Sequence, residues 1–325
     1  MRVERNLACG PKPWFELRRL IVLEWPTLLV ALAIYGGWLG ATWFHRALPW
    51  PILVAAGGWL VAWQGSLQHE AIHGHPTPWR RANRLLAIWP LSLWLPFELY
   101  RRSHLQHHAA EHLTLPGEDP EARYVSPPRG FGGRVLFGME RAHASLLGRL
   151  VLGPPITVAR FLIEETRALP GDPARAKVWA VHLGLVALVL LWVVRICGMS
   201  LSDYLLAFVY PGVALSLLRS FAEHRADADP DRRIAVVERA PLLGLLFLNN
   251  NLHVIHHQRP DASWHRLPKL YREARDGVVG QGGPIYAGYG EVFARYLLRP
   301  HDELVHPALA QARVAEVAFE TEALT

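Results

Sequence analysis

Long segments without a charged residue constrain the fold of this chain more than any other feature. The stretches 25–44 and 48–68 carry no charge, and the short linker HRALPWP between them predicts an antiparallel hairpin. A second pair of apolar segments, 178–197 and 201–222, is joined by RICGMSLSD. A helix of about 20 apolar residues is long enough to cross a bilayer. The pattern therefore predicts four transmembrane helices arranged as two hairpins.

The distribution of basic residues predicts the orientation of these helices. The net charge is +6, but only 19% of the residues are charged, against about 25% in a soluble domain. Basic residues concentrate before residue 25 and between the two hairpins, whereas the hairpin turns hold only Arg46 and Arg195. By the positive-inside rule, both termini and the middle block lie in the cytoplasm. Topology thus accounts for the basic charge, and no nucleic-acid partner is expected.

Together these features predict an all-α integral membrane protein that forms a single domain over residues 1–325. Residues 69–177 and 223–310 would form a cytoplasmic helical cap beside the two hairpins. The alternative is a soluble protein with buried helices. It fits poorly, because two uncharged runs of about 20 residues are rare in soluble cores.

Several segments of the predicted cap are not plain loops. Residues 80–102 are apolar in the centre and basic at both ends, and Pro90 and Pro96 predict a broken interfacial segment rather than a fifth span. Residues 134–169 interleave arginines with apolar residues, as amphipathic helices on a membrane surface do. Residues 115–130 are rich in proline and glycine and predict a loop.

The two cysteines and the N-terminal residues predict neither a disulfide nor a cleaved leader. Cys9 lies in the N-terminal tail and Cys197 at the far end of an apolar segment, so pairing between them is not expected. Two thiols also cannot form a thiolate metal site. The N-terminal tail has no apolar core of signal-peptide length, and we expect no removable targeting peptide.

The histidines fall into spaced clusters. The pattern His-x-x-x-His closes the second predicted span, His-x-x-His-His occurs twice, and a single histidine follows the fourth span. Residues three and four apart share one face of a helix, so each cluster can direct two or three imidazoles at one point. The nine candidate metal ligands are His69, His73, His104, His107, His108, His224, His253, His256 and His257.

The topology predicted from charge and hydropathy places all nine candidates on the cytoplasmic side. A tetrahedral zinc ion takes four ligands, whereas two metal ions with four or five each would use all nine. Imidazole binds iron, copper and zinc, so the ligand type alone leaves the metal open. His75 and His112 lie beside the clusters but off their spacing, and they are possible extra ligands. A metal transporter or sensor would be expected to place its ligands within the spans instead.

These clusters resemble the histidine boxes of the membrane fatty acid desaturase superfamily, the integral-membrane di-iron desaturases and hydroxylases. They read HEAIH, HLQHH and HVIHH in that order, with two predicted spans between the second and third. The likeness covers roughly residues 25–300 and includes EDPE after the second box and NNNLHVIHHQRPDASWHRLPKLY around the third. It is closer to bacterial acyl-lipid desaturases and carotenoid ketolases or hydroxylases than to acyl-CoA desaturases.

The resemblance implies two iron ions, Fe2+ or Fe3+, held by the box histidines and by His224. It implies an O2-dependent oxidoreductase that desaturates a fatty acyl chain of a membrane lipid. A hydroxylase or ketolase of a lipid, carotenoid or other hydrophobic metabolite is the alternative, and a non-catalytic metal-binding membrane protein is a more distant one. The expected location is the inner (cell) membrane of a bacterium.

The residues around the predicted ligands follow from the same resemblance. Some family members have an asparagine one helical turn before the fourth-span histidine, where this chain has Ser220. Water, the Ser220 hydroxyl or an asparagine of 249–251 would then complete the second metal's surroundings. The candidates for residues that support the ligands are Glu70, Glu223, Asp119, Asn251 and Ser220, of which the acids would hold imidazoles through their second ring nitrogens.

The chain itself carries no recognisable electron carrier. It has neither a His-Pro-Gly-Gly haem motif nor a glycine-rich nucleotide fingerprint. Electrons are therefore expected from a separate ferredoxin-like or similar acidic protein that docks on the basic cytoplasmic face.

Overall fold

The computed structural model describes residues 23–124 and 130–309. Within those ranges the chain is mostly helical, with one small parallel sheet. The helices are α1 (Trp25–Trp43), α2 (Trp50–Ile72), α3 (Arg80–Ala87), α4 (Phe97–Ala109), α5 (Gly130–Ala142), α6 (Leu146–Val151), α7 (Gly153–Ala168), α8 (Pro173–Leu190), α9 (Leu201–Tyr204), α10 (Tyr210–Glu223), α11 (Pro241–Leu246), α12 (His253–Gln258), α13 (Leu267–Gln281) and α14 (Tyr289–Tyr296). The strands are β1 (Val236–Arg239) and β2 (Ile285–Gly288).

Some of the predicted features concern residues outside these described ranges. The basic tail before residue 23, Cys9, residues 125–129 of the predicted loop and the segment from residue 310 lie outside the described residues. Cys197 is a free thiol in the structure.

Three helices are long and apolar enough to cross a membrane. They are α1, α8 with the π-helical turn that extends it to Ile196, and the stretch Leu201–Glu223 from α9 through α10. They match the first, third and fourth predicted spans. The second predicted span lies in α2, which has 23 residues but is not among the three. Its tryptophans and glycines, together with Gln64, lower its mean hydropathy.

The two helices of the first predicted hairpin pack against each other. α1 packs along α2, and the two hairpin turns meet at one end, where Arg46 Nη2 donates a hydrogen bond to the carbonyl oxygen of Gly198 at 3.4 Å. Deeper in the bundle, Trp38 Nε1 donates to the Tyr204 hydroxyl at 3.0 Å. That hydroxyl in turn donates to the carbonyl oxygen of Leu91 at 2.7 Å. The polar groups of Trp38 and Tyr204 are thus satisfied within the protein rather than by solvent.

α2 and α10 approach each other closely through glycines. A Cβ atom on Gly212 would lie 2.5 Å from Val61 Cγ1, and one on Gly58 would lie 2.7 Å from Pro211 Cβ. Small residues at a helix interface let two backbones approach closely. This contact fixes the relative position of the ends of α2 and α10, and both ends carry predicted ligands.

The segments outside the bundle agree with the sequence in most respects. The stretch 80–102 is broken, because α3 ends at Ala87 and α4 begins only after Pro96. The stretch 134–169 is helical in α5, α6 and α7.

The all-α expectation needs one correction. β1 and β2 pair in parallel, with Val236 opposite Ile285. The β-branched and aromatic residues of VVER and IYAG favour strands. Because the two strands are distant in the chain and only four residues long, their pairing is a tertiary event that local patterns do not reveal.

We predict that Gly212→Val weakens the bundle. The added methyl groups would overlap Val61, and overpacking of this kind costs about 1–3 kcal/mol. Thermal unfolding in detergent, followed by tryptophan fluorescence, should show a midpoint several degrees lower. Gly184→Val in α8 is the matched control, because a Cβ atom there meets nothing within 4 Å. Equal midpoints for the two variants would contradict the proposed close contact.

Candidate metal centre

Four helix ends bring the predicted ligands together. α2 ends with His69 and His73, α4 carries the second box, α10 ends just before His224, and α12 is built from the third box. All nine histidines lie in two groups, and within each group the candidate ligand atoms are within 4.8 Å of one another. The first cluster contains His69, His73, His104, His108 and His256. The second cluster contains His107, His224, His253 and His257.

Each His-x-x-His-His box contributes to both clusters. In α4, His104 and His108 face the first cluster, whereas His107 faces the second. In α12 the pair with four-residue spacing, His253 and His257, faces the second cluster, and the remaining histidine faces the first. Neighbouring residues of a helix point about 100° apart, so the adjacent histidines of each box reach different points. The sequence predicted four or five ligands for each of two metal ions, but not which histidines of each box belong to which cluster.

The imidazole nitrogens within each cluster have the spacing of ligands around one ion. In the first cluster, His104 Nε2 lies 3.0 Å from His73 Nε2 and 3.1 Å from His108 Nε2. In the second, His253 Nε2 lies 2.9 Å from His224 Nε2. Two nitrogens that each lie about 2.1 Å from one metal, at an angle of 90–110°, are about 3.0–3.4 Å apart. These neighbouring pairs therefore have the separation expected of ligands that share one metal ion.

The second ring nitrogens of His107 and His104 point away from the clusters towards acceptors. His107 Nδ1 donates to Asp119 Oδ1 at 2.8 Å, and His104 Nδ1 donates to Glu121 Oε1 at 3.0 Å. Asp119 is itself held by the backbone N–H of Thr114 at 2.8 Å. A proton on Nδ1 leaves the Nε2 lone pair free to bind a metal, which is how acids outside the ligand set orient imidazole ligands.

In the asparagine run before the third box, one side chain contacts the second cluster and the next contacts the sheet. The side-chain oxygen of Asn250 accepts from His253 Nδ1 at 3.2 Å, and its amide donates to Glu223. Asn251, which the sequence singled out, instead donates to the carbonyl oxygen of Val237 in β1 at 2.7 Å. The supporting asparagine is therefore one residue earlier than predicted, because the direction of each side chain depends on the turn that precedes α12.

Glu70 and Glu223 lie next to the clusters but do not bond directly to the histidines. Glu70 Oε1 is 3.8 Å from His69 Nδ1, and its other oxygen accepts from the backbone N–H of Trp264 at 3.1 Å. Glu223 Oε1 is 3.6 Å from His253 Nδ1. Both distances exceed that of a hydrogen bond. The two acids therefore lie beside the imidazoles without accepting their ring protons, and Glu223 is instead paired with Arg219 at 3.1 Å.

Three other candidates lie apart from both clusters. His75 Nδ1 bonds to Glu24 at 2.6 Å, and the exposed His112 bonds to Glu118 at 2.8 Å. The Ser220 hydroxyl donates to the carbonyl oxygen of Leu217 at 3.2 Å. The serine does line a cavity of about 270 Å³ that also reaches His224 and Glu223.

Two residues of the site were not singled out from the sequence. Glu121 bonds to His104, and Asn250 bonds to His253. Both belong to motifs that the sequence did mark, EDPE and the asparagine run. From the sequence, Glu121 could have been found only by its position two residues after Asp119. That spacing lets both acids face the histidines of α4.

Burial keeps most of the clustered imidazoles neutral. It is the main cause that lowers the pKa of His108 to about 3, and neighbouring imidazoles add to the effect. Burial also lowers the pKa of His256 and His257 well below the ordinary value. For His107 burial acts in the same direction and is the largest single cause, but the hydrogen bond to Asp119 and the nearby carboxylates of Glu121 and Glu223 together outweigh it and the pKa is raised. Neutral imidazole is the form that binds a metal.

One buried nitrogen supports a cation in the first cluster. His69 Nε2 is buried and has no hydrogen-bond partner among the described residues. A buried polar atom without a partner costs about 1–3 kcal/mol. A metal ion bound by the first cluster would satisfy it, so the donor set fits a metal.

We predict that Asp119→Asn lowers the metal affinity of the second cluster by about 10–100-fold. The replacement amide has no negative charge, and the negative charge of Asp119 stabilises this orientation of His107. Metal content after dialysis against a graded series of chelator concentrations would measure the effect. Glu118→Gln is the matched control, because that exposed acid bonds only to His112 among the described residues. Equal metal retention in both variants would rule out this role for Asp119.

Comparison with known proteins agrees with the geometry of the site. A sequence model described as fatty acid desaturase matches residues 42–289, a range that includes all nine clustered histidines and most of the chain. No curated protein matches the chain closely enough to be called a relative. A match over this much of the chain identifies the family: the protein belongs to the fatty acid desaturases.

Proposed function

We propose that this protein is an O2-dependent membrane di-iron oxidase that desaturates a fatty acyl chain of a lipid. The observation that carries the proposal is the division of nine histidines into two adjacent clusters of five and four. Membership of the family supports a membrane oxidase that acts on lipids. The nine clustered histidines are the proposed ligands.

Iron is the proposed metal in both clusters. An all-imidazole donor set suits iron, copper and zinc, and attack on an unactivated C–H bond requires a redox-active metal, which excludes zinc. Bound iron, cycling between Fe2+ and Fe3+, would supply the activation of O2 and the removal of hydrogen from the chain. The protein's own contribution is to keep two sets of imidazoles neutral, dry and fixed in direction.

The surrounding acids have separate proposed roles. Asp119 and Glu121 hold the second nitrogens of His107 and His104 and so fix two ligands of different clusters. Both acids come from one short turn between α4 and α5. A displacement of this turn would move ligands in both clusters at once, which couples the two metal sites mechanically.

The environment of the second cluster leaves room for a non-histidine ligand. It has one histidine fewer than the first cluster, and the cavity of about 270 Å³ lined by Ser220, Glu223 and His224 opens beside it. Water in this cavity is the proposed fifth ligand, held by the Ser220 hydroxyl or Glu223. Asn251 is not among the residues that line this cavity.

We further propose four transmembrane helices, with α2 as the one beyond the three that hydropathy identifies. The polar last turns of α2 are buried in the protein rather than exposed to lipid. Both termini and the histidine clusters would then face the cytoplasm, and the membrane would be the inner (cell) membrane of a bacterium. A separate ferredoxin-like donor would dock on the basic cytoplasmic face and deliver the electrons that reduce O2.

Metal analysis tests the di-iron centre. We expect the purified protein to hold close to two iron ions per chain by plasma mass spectrometry. His107→Ala should reduce this towards one, with loss of nearly all activity, because it removes one of only four ligands in the second cluster. His265→Ala is the control, since His265 is exposed and belongs to neither cluster. Protein purified without iron from iron-replete cells, or a fully active His107→Ala variant, would refute the proposal.

The reaction is tested by lipid and metabolite profiling of cells with and without the gene. Desaturation predicts acyl chains that are lighter by two hydrogens, and the His107→Ala gene should not produce them. Hydroxylation or ketolation instead adds oxygen to a lipid, carotenoid or other hydrophobic metabolite. Oxygenated products without new double bonds would replace the desaturase assignment, and unchanged profiles under iron-replete, aerobic growth would contradict both reactions.

A further inference from the structure

A cavity of about 310 Å³ lies between the α3–α4 segment and α8, and no clustered histidine lines it. α4 and α8 pack against each other, and the cavity opens beside their contact. Its apolar wall consists of Ile88, Pro96, Phe97, Ala174, Val178 and Val181. Its volume is at the lower end of the range of small-molecule sites, about 300–1,000 Å³.

Basic side chains line the same cavity. They are Arg84, Arg102 and Lys177, and the only acid among the lining residues is Glu98. Glu98 forms an ion pair with Arg84. Arg102 and Lys177 are exposed and form no ion pair with any residue that the structure describes. Two cations from different helices thus line one apolar-walled cavity without a counter-charge, which favours an anionic ligand.

The apolar wall continues along the most exposed of the candidate spans. Only 17% of the apolar window of α8 is buried in the protein, against 39% for α1 and 44% for the stretch 201–223. Val181 at the cavity is 43% exposed, and Leu188 two turns further along is 51% exposed. In a membrane this face of α8 would contact acyl chains.

We propose that the cavity binds the headgroup of an anionic phospholipid. Arg102 and Lys177 hold the phosphate from two sides, the glycerol and first methylene groups lie against Phe97 and Val181, and the acyl chains follow the exposed face of α8. Basic pockets at the cytoplasmic ends of membrane helices bind anionic headgroups in this way. An acidic soluble protein or a free phosphate ion would leave the apolar wall without a partner. The site depends on membrane insertion but not on the proposed oxidation.

The test is native mass spectrometry of the intact protein, released from detergent with equal amounts of phosphatidylglycerol and phosphatidylcholine of the same chain lengths. We expect the protein to retain phosphatidylglycerol selectively. The double variant Arg102→Gln/Lys177→Gln should lose this selectivity by roughly 30-fold, since each basic residue near a headgroup contributes about 1 kcal/mol, or fivefold. The control Arg266→Gln/Arg272→Gln removes the same charge from two exposed arginines that line none of the described cavities and should bind as the unmodified protein does.

Two further arms separate a lipid site from a charge effect. Ala174→Trp fills the cavity while keeping both cations, and we expect it to lose retained lipid to a similar extent. Inorganic phosphate at millimolar concentration should not displace the lipid, because it cannot occupy the apolar wall.

Equal loss in the control variant, full retention in Ala174→Trp, or displacement by inorganic phosphate would each overturn the proposal. Iron content and oxidation products are not readouts of this experiment. The lipid site and the proposed reaction can therefore fail independently.

Discussion

The close contact between α2 and α10 sets the geometry of the polar end of the protein. Gly58 and Gly212 let the two helices approach to a distance that no larger side chain would permit. Because each helix ends at a predicted ligand, this contact fixes the distance between His69 and His224. The two clusters can form side by side only while that distance is kept.

A second constraint follows from the chemistry of the imidazoles. The nine clustered histidines, five of them buried and four partly buried, bring their ring nitrogens as close as 2.9 Å. Such an arrangement is stable only if the rings stay neutral or a cation lies between them. The positions of the ring protons are fixed by hydrogen bonds to Asp119, Glu121 and Asn250. The cost of holding lone pairs together is then offset when a metal ion binds.

The apolar and polar parts of the molecule are linked through the same helices. α2 passes from a stretch that packs on α1 to polar turns that carry ligands, and none of its last turns is exposed. α8 differs, since it contributes no ligand and most of its surface is left for contact with lipid.

The nine histidines, their helical spacing and the two apolar hairpins could be predicted from the sequence, because hydropathy and helical periodicity are local properties of the chain. The helix break after Ala87 could be predicted for the same reason, because proline disrupts the interior of a helix. Only the tertiary structure decided that each His-x-x-His-His box serves two clusters. That division depends on how α4 and α12 are rotated about their own axes, which packing sets. The tertiary structure also decided that Asn250 rather than Asn251 contacts the cluster, that β1 pairs with β2, and that Arg102 and Lys177 line one cavity. In each case the fold, and not the spacing in the sequence, brings the residues together.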